Sequence, residues 1–282
     1  MPGCVEQKLV EFGRAKPERP QHAPCPSPPP SFGKTAQEPP PEDTAPLLHA
    51  DGAKQAQQIV GLFLFHGRGI DTTTSKGLNS LARQQSKPTT STKKKCDQSL
   101  DYLATYPDEK IRFCASDVTL CMHLGASCMN EPGAKSTAGG HHFMSSGPKN
   151  EHAIKLNGAI CSSCTVLKLV AASAAEAEIG ALFLNVQEAK ITRLVLEEMG
   201  HPQPPTPVHC DDATATGMAN GTVKRQHSRA MEMRHFWVFD QVSQKQNVHC
   251  VASRSGKFGR LCHQATSAKT SCRNVADLPP RK

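Results

Sequence analysis

The sequence predicts an α/β protein in which helices pack on a mixed β-sheet. Two observations lead to this fold class. From residue 113 onward, strand-like apolar runs and segments of helical periodicity follow in the order strand, strand, strand, helix, strand, helix, strand. Clusters of Gly, Pro and Asn stand between these runs and favour turns. Residues 113–282 are therefore expected to form one α/β domain.

Three strand candidates precede the strongest helix of this domain, and shorter elements follow it. The predicted elements are strands over Val118–Leu124, Gly139–Ser145 and Ala159–Val170, a helix over Ser173–Met199, a strand over Val208–Cys210, a helix over about Ser228–Val242 and a strand over Asn247–Ala252.

The helix after Ser173 has the clearest start and stop signals in the chain. Ser173 is a suitable N-cap, and Glu176 stands three residues later, so the pair predicts a capping box. Gly200 and Pro202 predict the end of the helix. The apolar stripe of one helix face consists of Ile179, Leu182, Phe183 and Val186.

The chain in front of this domain divides into two parts. Residues 1–50 are predicted to be a Pro-rich, mostly irregular segment after a short helix in 1–14, because 11 of the 22 prolines lie between Pro17 and Pro46. Residues 51–112 predict a small helical unit. Its helices run from Asp51 to Phe65, where Gly67 and Gly69 end the first helix, from Asp71 or Thr72 to before Pro88, and from Ser91 or Thr92 to before Pro107.

Charge and hydropathy narrow the classes of partner. The formal net charge of +8 favours a polyanionic partner such as a nucleic acid. The longest apolar run, Ile59–Phe65, is far too short to span a bilayer, so no membrane association is expected. Without a signal peptide, the 12 cysteines favour a reduced intracellular setting, cytoplasmic or nuclear. The C-x-x-C pair of Cys161 and Cys164 is only half of a tetrahedral zinc site.

Short strings along most of the chain resemble the C-terminal part of a copia-type retrotransposon polyprotein. Leu78–Ser86 and Leu100–Pro107 resemble the tail of its reverse transcriptase, and Ala134–Gly140 and Met199–Pro205 resemble its ribonuclease H domain. The sequence has no Tyr-x-Asp-Asp polymerase motif. The resemblance therefore implies a truncated, degenerate fragment that begins at an internal Met, with a ribonuclease H-like domain over residues 113–282.

The resemblance also implies a catalytic site. In the family, four acids hold two Mg²⁺ ions that drive cleavage of the RNA strand of an RNA–DNA hybrid. Glu178 and Asp211 occupy the second and third positions, and Asp277 is the candidate for the fourth. The first position is Gly125, so an inactive enzyme is expected. Glu176 is interpreted as the capping partner of Ser173.

The role of a basic cluster and two alternative functions stay open. Lys224, Arg225, Arg229 and Arg234 gather around the last predicted helix, either as a solvated basic face or as contacts to the phosphates of a hybrid. A nonenzymatic nucleic-acid-binding module with the ribonuclease H fold is the alternative to a degenerate nuclease. A small zinc or redox protein built on the cysteines is the third reading.

Overall fold

The computed structural model describes residues 3–26, 38–146, 156–223, 232–244 and 249–252. These residues form two compact units. Residues 3–26 and 43–110 belong to a helical unit, whereas residues 38–42 and the described residues from 111 onward belong to an α/β unit. Among the described residues, no helix combines the length and the apolar character that a bilayer crossing requires.

The helical unit buries one apolar cluster between its helices. Ile59, Phe63, Leu81 and Leu103 are each at most 2% exposed. The helices are α1 Cys4–Glu11, α2 Ala50–Gly69, α3 Ser75–Gln84, which a short 3-10 turn over Thr72–Thr74 precedes, and α4 Thr90–Thr105.

Two predicted helix boundaries in this unit were wrong. Gly67 does not end α2 but lies inside it, where a Cβ atom would come within 2.7 Å of Thr74 Oγ1, so glycine permits close packing. The N-cap of α4 is Thr89, and Thr92 Oγ1 accepts a hydrogen bond from the Thr89 N–H in a capping box.

The described parts of the Pro-rich segment, residues 15–26 and 38–49, contain no helix or strand and only an isolated bridge from Leu47 to Thr89. Side chains of α4 nevertheless contact this backbone. Gln98 Nε2 donates to the Ala23 carbonyl at 3.1 Å, and Ser99 Oγ donates to the Pro24 carbonyl at 2.8 Å. Irregular backbone is therefore tied to the helices by side-chain hydrogen bonds.

The α/β unit contains a five-stranded sheet in the order β3-β2-β1-β4-β5, which confirms the predicted fold class. Strand β1 is antiparallel to β2, β2 is antiparallel to β3, β4 is parallel to β1, and β5 is parallel to β4. The strands are β1 Thr119–Glu131, β2 Lys135–Ser145, β3 Ala159–Val166, β4 Pro207–Cys210 and β5 His249–Ala252, and the helices are α5 Ala174–Glu198, α6 Ala213–Ala219 and α7 Glu232–Ser243.

Alternate residues of β1 face opposite sides of the sheet. Leu120, Met122, Leu124 and Ala126 belong to one buried cluster with the apolar stripe of α5. The intervening residues Cys121, His123 and Gly125 therefore face away from α5. On that side, the His123 ring stacks on His209 at 4.5 Å and on Phe143 at 5.4 Å between centroids.

Helix α6 was not predicted from the sequence. Its seven residues are mostly Ala and Thr and are too few to show an apolar period. Asp212 fixes the start of the helix, because its side chain accepts a hydrogen bond from the Ala215 N–H at 2.8 Å.

Gly140 on β2 marks a close approach between the sheet and α5. A Cβ atom at this position would lie 1.7 Å from Asn185 Oδ1. Asn185 cannot easily move, because it is 2% exposed and its amide donates to the carbonyls of Gly139 and Ala181. Its Oδ1 also lies 3.0 Å from His142 Nε2.

We predict that Gly140→Ala lowers the free energy of unfolding by about 2–4 kcal/mol, because the added methyl group must displace this buried amide. Urea denaturation followed by circular dichroism measures the change. Gly61→Ala is the matched control, since Gly61 is an exposed helical position with no atom near its missing Cβ, and it should be neutral or slightly stabilising. Equal stability of Gly140→Ala and wild type would contradict the close approach.

Candidate carboxylate and thiol site

The first turns of α5 present two acids to different surroundings. Ser173 Oγ accepts the Glu176 N–H at 3.2 Å, as predicted for the N-cap. The reciprocal bond of the predicted capping box differs, because the Glu176 carboxylate accepts the Ala172 N–H at 2.8 Å instead of the Ser173 N–H. Glu176 is thus a capping residue. Glu178, two residues later, is 6% exposed and points into the sheet.

The Glu178 carboxylate lies where β1 and β4 separate. Its Oε1 accepts the Ala126 N–H of β1 at 2.7 Å, and its Oε2 accepts the Cys210 thiol of β4 at 3.6 Å. Both contacts join residues more than 30 positions apart in the sequence. The sheet therefore places the acid at the end of β4.

Burial controls the protonation of this acid. Desolvation raises the pKa of the Glu178 carboxyl to about 7, the Ala126 N–H opposes the rise, and the nearby charge of Asp211 adds to it. Burial likewise raises the pKa of the Cys210 thiol, and the proximity of Glu178 adds to that shift. Near neutral pH, the thiol is therefore protonated, and the Glu178 carboxyl group is present in both protonation states.

Asp211 follows directly after β4 and is exposed. One ligand atom each from Glu178, Cys210 and Asp211 lies within 4.8 Å of the others. The two acids thus come together, as the sequence analysis expected, while their role as metal ligands stays a prediction. Sequence reasoning did not include Cys210, although it stands next to Asp211.

Position 125 lies beside the same carboxylate. Gly125 is buried opposite Gly139 of β2, and its carbonyl carbon is bonded to the Ala126 nitrogen that donates to Glu178. A side chain at position 125 would start one peptide unit from this acid. Gly125 itself supplies no ligand atom.

Among the residues that the structure describes, the cluster does not fit a two-Mg²⁺ site. Mg²⁺ prefers several hard oxygen ligands in octahedral geometry. This cluster offers one exposed carboxylate, one buried carboxyl that already accepts two hydrogen bonds, and one thiol. It lacks an oxygen donor from position 125 that could bridge two ions.

The other predicted site residues divide into two groups. Asp277, Lys224, Arg225 and Arg229 lie outside the described residues. Arg234 is half-buried on α7, with its guanidinium carbon 5.7 Å from the centroid of the Phe183 ring. Part of its charge is thus directed onto an aromatic face.

The C-x-x-C pair lies on β3, where it cannot hold one ion from one side. Cys161 is opposite His142, whose ring contacts α5, whereas Cys164 is opposite Gly139 on the other face. Residues three apart on a strand point in opposite directions. This arrangement removes the basis for a zinc half-site at this pair.

The raised pKa of Glu178 predicts a pH-dependent stability. The folded pKa of about 7 exceeds the ordinary value of 4.5, so ionisation of Glu178 destabilises the fold as pH rises from about 4.5 to about 7. We expect Glu178→Gln to be more stable than wild type by about 3 kcal/mol at pH 8, and the difference to vanish toward pH 4.

Urea denaturation of both proteins across this pH range measures the difference. The comparison is needed because the buried histidines act in the opposite direction. Burial lowers the pKa of His123 to about 3, so the neutral ring is favoured in the fold and acid destabilises both proteins alike. A difference between the proteins that is constant with pH would contradict titration of Glu178 in this window.

The fold and the site together define an α/β domain with a carboxylate and thiol cluster at the end of its central parallel strand pair. No model of a known protein family matches the chain, and no curated protein matches it. Solved structures similar to it include ribonuclease H domains and a viral reverse transcriptase.

The N-terminal ribonuclease H domain of a Mycobacterium tuberculosis protein is 15% identical, with a TM-score of 0.35, and the match covers 55% of this chain and 99% of that chain. LC11-RNase H1, isolated from compost by a metagenomic approach, is 12% identical, with a TM-score of 0.38, and the match covers 52% of this chain and 91% of that chain. The foamy viral protease-reverse transcriptase in complex with dsDNA is 13% identical, with a TM-score of 0.46, and the match covers 74% of this chain and 42% of that chain. At these identities and TM-scores, the likeness says nothing of activity.

Proposed function

We propose that this chain is a ribonuclease H-like domain of a retroelement polyprotein that no longer cleaves RNA–DNA hybrids. The observation that carries the proposal is the meeting of Glu178 and Asp211 beside the backbone of Gly125. These are the three positions to which the copia-type resemblance assigns the second, third and first catalytic acids. If Glu178 and Asp211 were functionally unrelated acids, there would be no reason to expect them to meet at this point.

The loss of cleavage follows from the chemistry of the cluster. Clustered carboxylates hold the ions that stabilise the charge developing in phosphodiester cleavage. Gly125 supplies no oxygen, and the Glu178 carboxyl is partly protonated near neutral pH because it is buried. Loss of positioned charge stabilisation costs several kcal/mol of barrier, which is on the order of 100-fold or more in rate.

A second candidate function is nucleic-acid binding without cleavage. The formal net charge of +8 and the sequence pI of about 8.9 favour attraction to a polyanion. In this case the α/β unit would act as a binding module, and the contacts would go to phosphates with little reading of sequence.

We expect wild type to cleave the labelled RNA strand of a hybrid in Mg²⁺ no faster than Glu178→Gln. Gel electrophoresis of the labelled RNA over time measures the rate. Robust turnover by wild type that Glu178→Gln abolishes would contradict the proposal, because it would show that another acid completes the site.

The binding candidate has a separate test. Fluorescence anisotropy with a labelled hybrid should give an affinity that falls steeply as salt rises, since phosphate contacts release counterions. Double-stranded DNA of the same length is the comparison duplex. Absence of binding at low salt would exclude the binding module. It would not contradict the proposal of a ribonuclease H-like domain that no longer cleaves hybrids.

A further inference from the structure

We infer that Glu178, Cys210 and Asp211 form a site for one thiophilic divalent cation, Zn²⁺, rather than for Mg²⁺. Among the described residues, they are the group of Cys, His, Asp and Glu side chains whose ligand atoms converge. The inference depends on neither hybrid binding nor cleavage, so it can hold if both functions proposed above fail.

The distance between two of the ligand atoms supports this choice of ion. The Cys210 Sγ and Glu178 Oε2 atoms are 3.6 Å apart. A tetrahedral Zn²⁺ with a Zn–S bond of about 2.3 Å and a Zn–O bond of about 2.1 Å separates its two ligand atoms by about 3.6 Å. Mg²⁺ takes oxygen ligands, so the sulfur atom of this pair does not suit it. The distance between the sulfur and oxygen ligand atoms therefore equals the edge of a zinc coordination tetrahedron.

Hydrogen bonding prepares the carboxylate for an ion at this point. Glu178 Oε1 accepts the Ala126 N–H at 2.7 Å, and this bond fixes the orientation of the carboxyl group. Within the described part of the chain, the other oxygen, Oε2, accepts a hydrogen bond from the weak S–H donor of Cys210 alone. An ion that replaces the thiol proton would thus bind Oε2 of a carboxylate whose orientation is already fixed by the hydrogen bond at Oε1. Metal-binding carboxylates are commonly held by such a second hydrogen bond.

The binding step exchanges protons for the ion. The S–H bond of Cys210 breaks, a Zn–S bond forms, and the proton goes to solvent together with any proton on Glu178. Asp211 is exposed, so its carboxylate can rotate to complete the third ligand bond. Solvent water can occupy the fourth position, next to Asp211. The thiolate gives this site its preference, since soft sulfur ligands favour Zn²⁺ over Mg²⁺.

Metal titration of the full chain, reduced and freed of metal, tests the inference. Wild type should bind one Zn²⁺ that on the order of a 1,000-fold excess of Mg²⁺ does not displace. With Co²⁺ as the spectroscopic probe, it should show a thiolate-to-cobalt charge-transfer band. Competition with a chromophoric chelator gives the Zn²⁺ affinity.

Three variants locate the site. Cys210→Ser should lose the charge-transfer band and weaken Zn²⁺ binding by at least about 100-fold, because loss of even a supporting contact costs about 10- to 100-fold. Asp211→Asn should keep the band but weaken binding by about 10-fold or more. Cys114→Ser is the control for the other thiols, since Cys114 is an exposed free cysteine, and it should match wild type.

Retention of the band and of the Zn²⁺ affinity in Cys210→Ser would overturn the inference, as would unchanged affinity in Asp211→Asn. Circular dichroism establishes whether the Cys210→Ser protein keeps the fold of wild type. If it does not, Asp211→Asn decides alone, because its exposed side chain can be changed without disturbing the core.

Discussion

Gly125→Asp is expected to raise the rate of RNA cleavage in an RNA–DNA hybrid by about 100-fold over wild type. The Asp side chain would leave β1 one peptide unit from the Glu178 carboxyl and on the face away from α5. It would therefore turn round the edge of β1, beyond the end of β4, to add the hard oxygen ligand that the cluster lacks. The measurement is the initial rate of cleavage of a labelled RNA strand in Mg²⁺.

Gly125→Asn is the matched control for this gain. It adds a side chain of the same size to the same buried strand position but no negative charge, so its rate should stay at the level of wild type. A second control, Gly125→Asp combined with Glu178→Gln, should return the rate to background. Equal cleavage by the Asp and Asn variants would contradict a missing acid at position 125.

Arg193→Met is expected to lower the free energy of unfolding by about 3–5 kcal/mol. Arg193 is a buried guanidinium of α5 that donates to Thr206 Oγ1 and to the Gln203 carbonyl, each at 2.9 Å, and to the Pro204 carbonyl. Methionine fills a similar volume but leaves these acceptors without their donor in a site where Thr206 has no exposed surface.

The loop that Arg193 holds leads directly into β4. Gln203 in this loop also bonds to β1, since its side chain accepts the Leu120 N–H at 2.9 Å and donates to the Val118 carbonyl at 2.9 Å. Loss of the Arg193 contacts should therefore also loosen the position of Asp211 at the end of β4.

Lys190→Met is the control for this prediction. Lys190 stands one turn earlier on α5, is exposed, and makes one long contact of 3.5 Å to Gln241. The same loss of a long cationic side chain should change stability by no more than about 0.5 kcal/mol there. Urea denaturation of both variants measures the contrast, and similar effects at positions 190 and 193 would contradict the role of Arg193.

The sequence by itself determined the order and type of the elements in the α/β unit, except for the short helix α6. The helix predicted from Ser173 to Met199 is α5, with Ser173 as its N-cap and Met199 as its C-cap. Capping residues, helical periodicity and strand alternation act over a few neighbouring positions, so they can be read directly from the chain. The same signals place Glu178 near the start of α5 and Asp211 after β4.

Only the tertiary structure decided what surrounds these residues. The raised pKa of Glu178, its contact with Cys210 and the hydrogen bonds between Gln203 and β1 all depend on elements that are distant in sequence. The same is true of Gly140, where glycine is required by Asn185 of α5 and not by a turn. Desolvation and side-chain hydrogen bonding are set by which surfaces meet across the sheet, and no local pattern encodes that pairing.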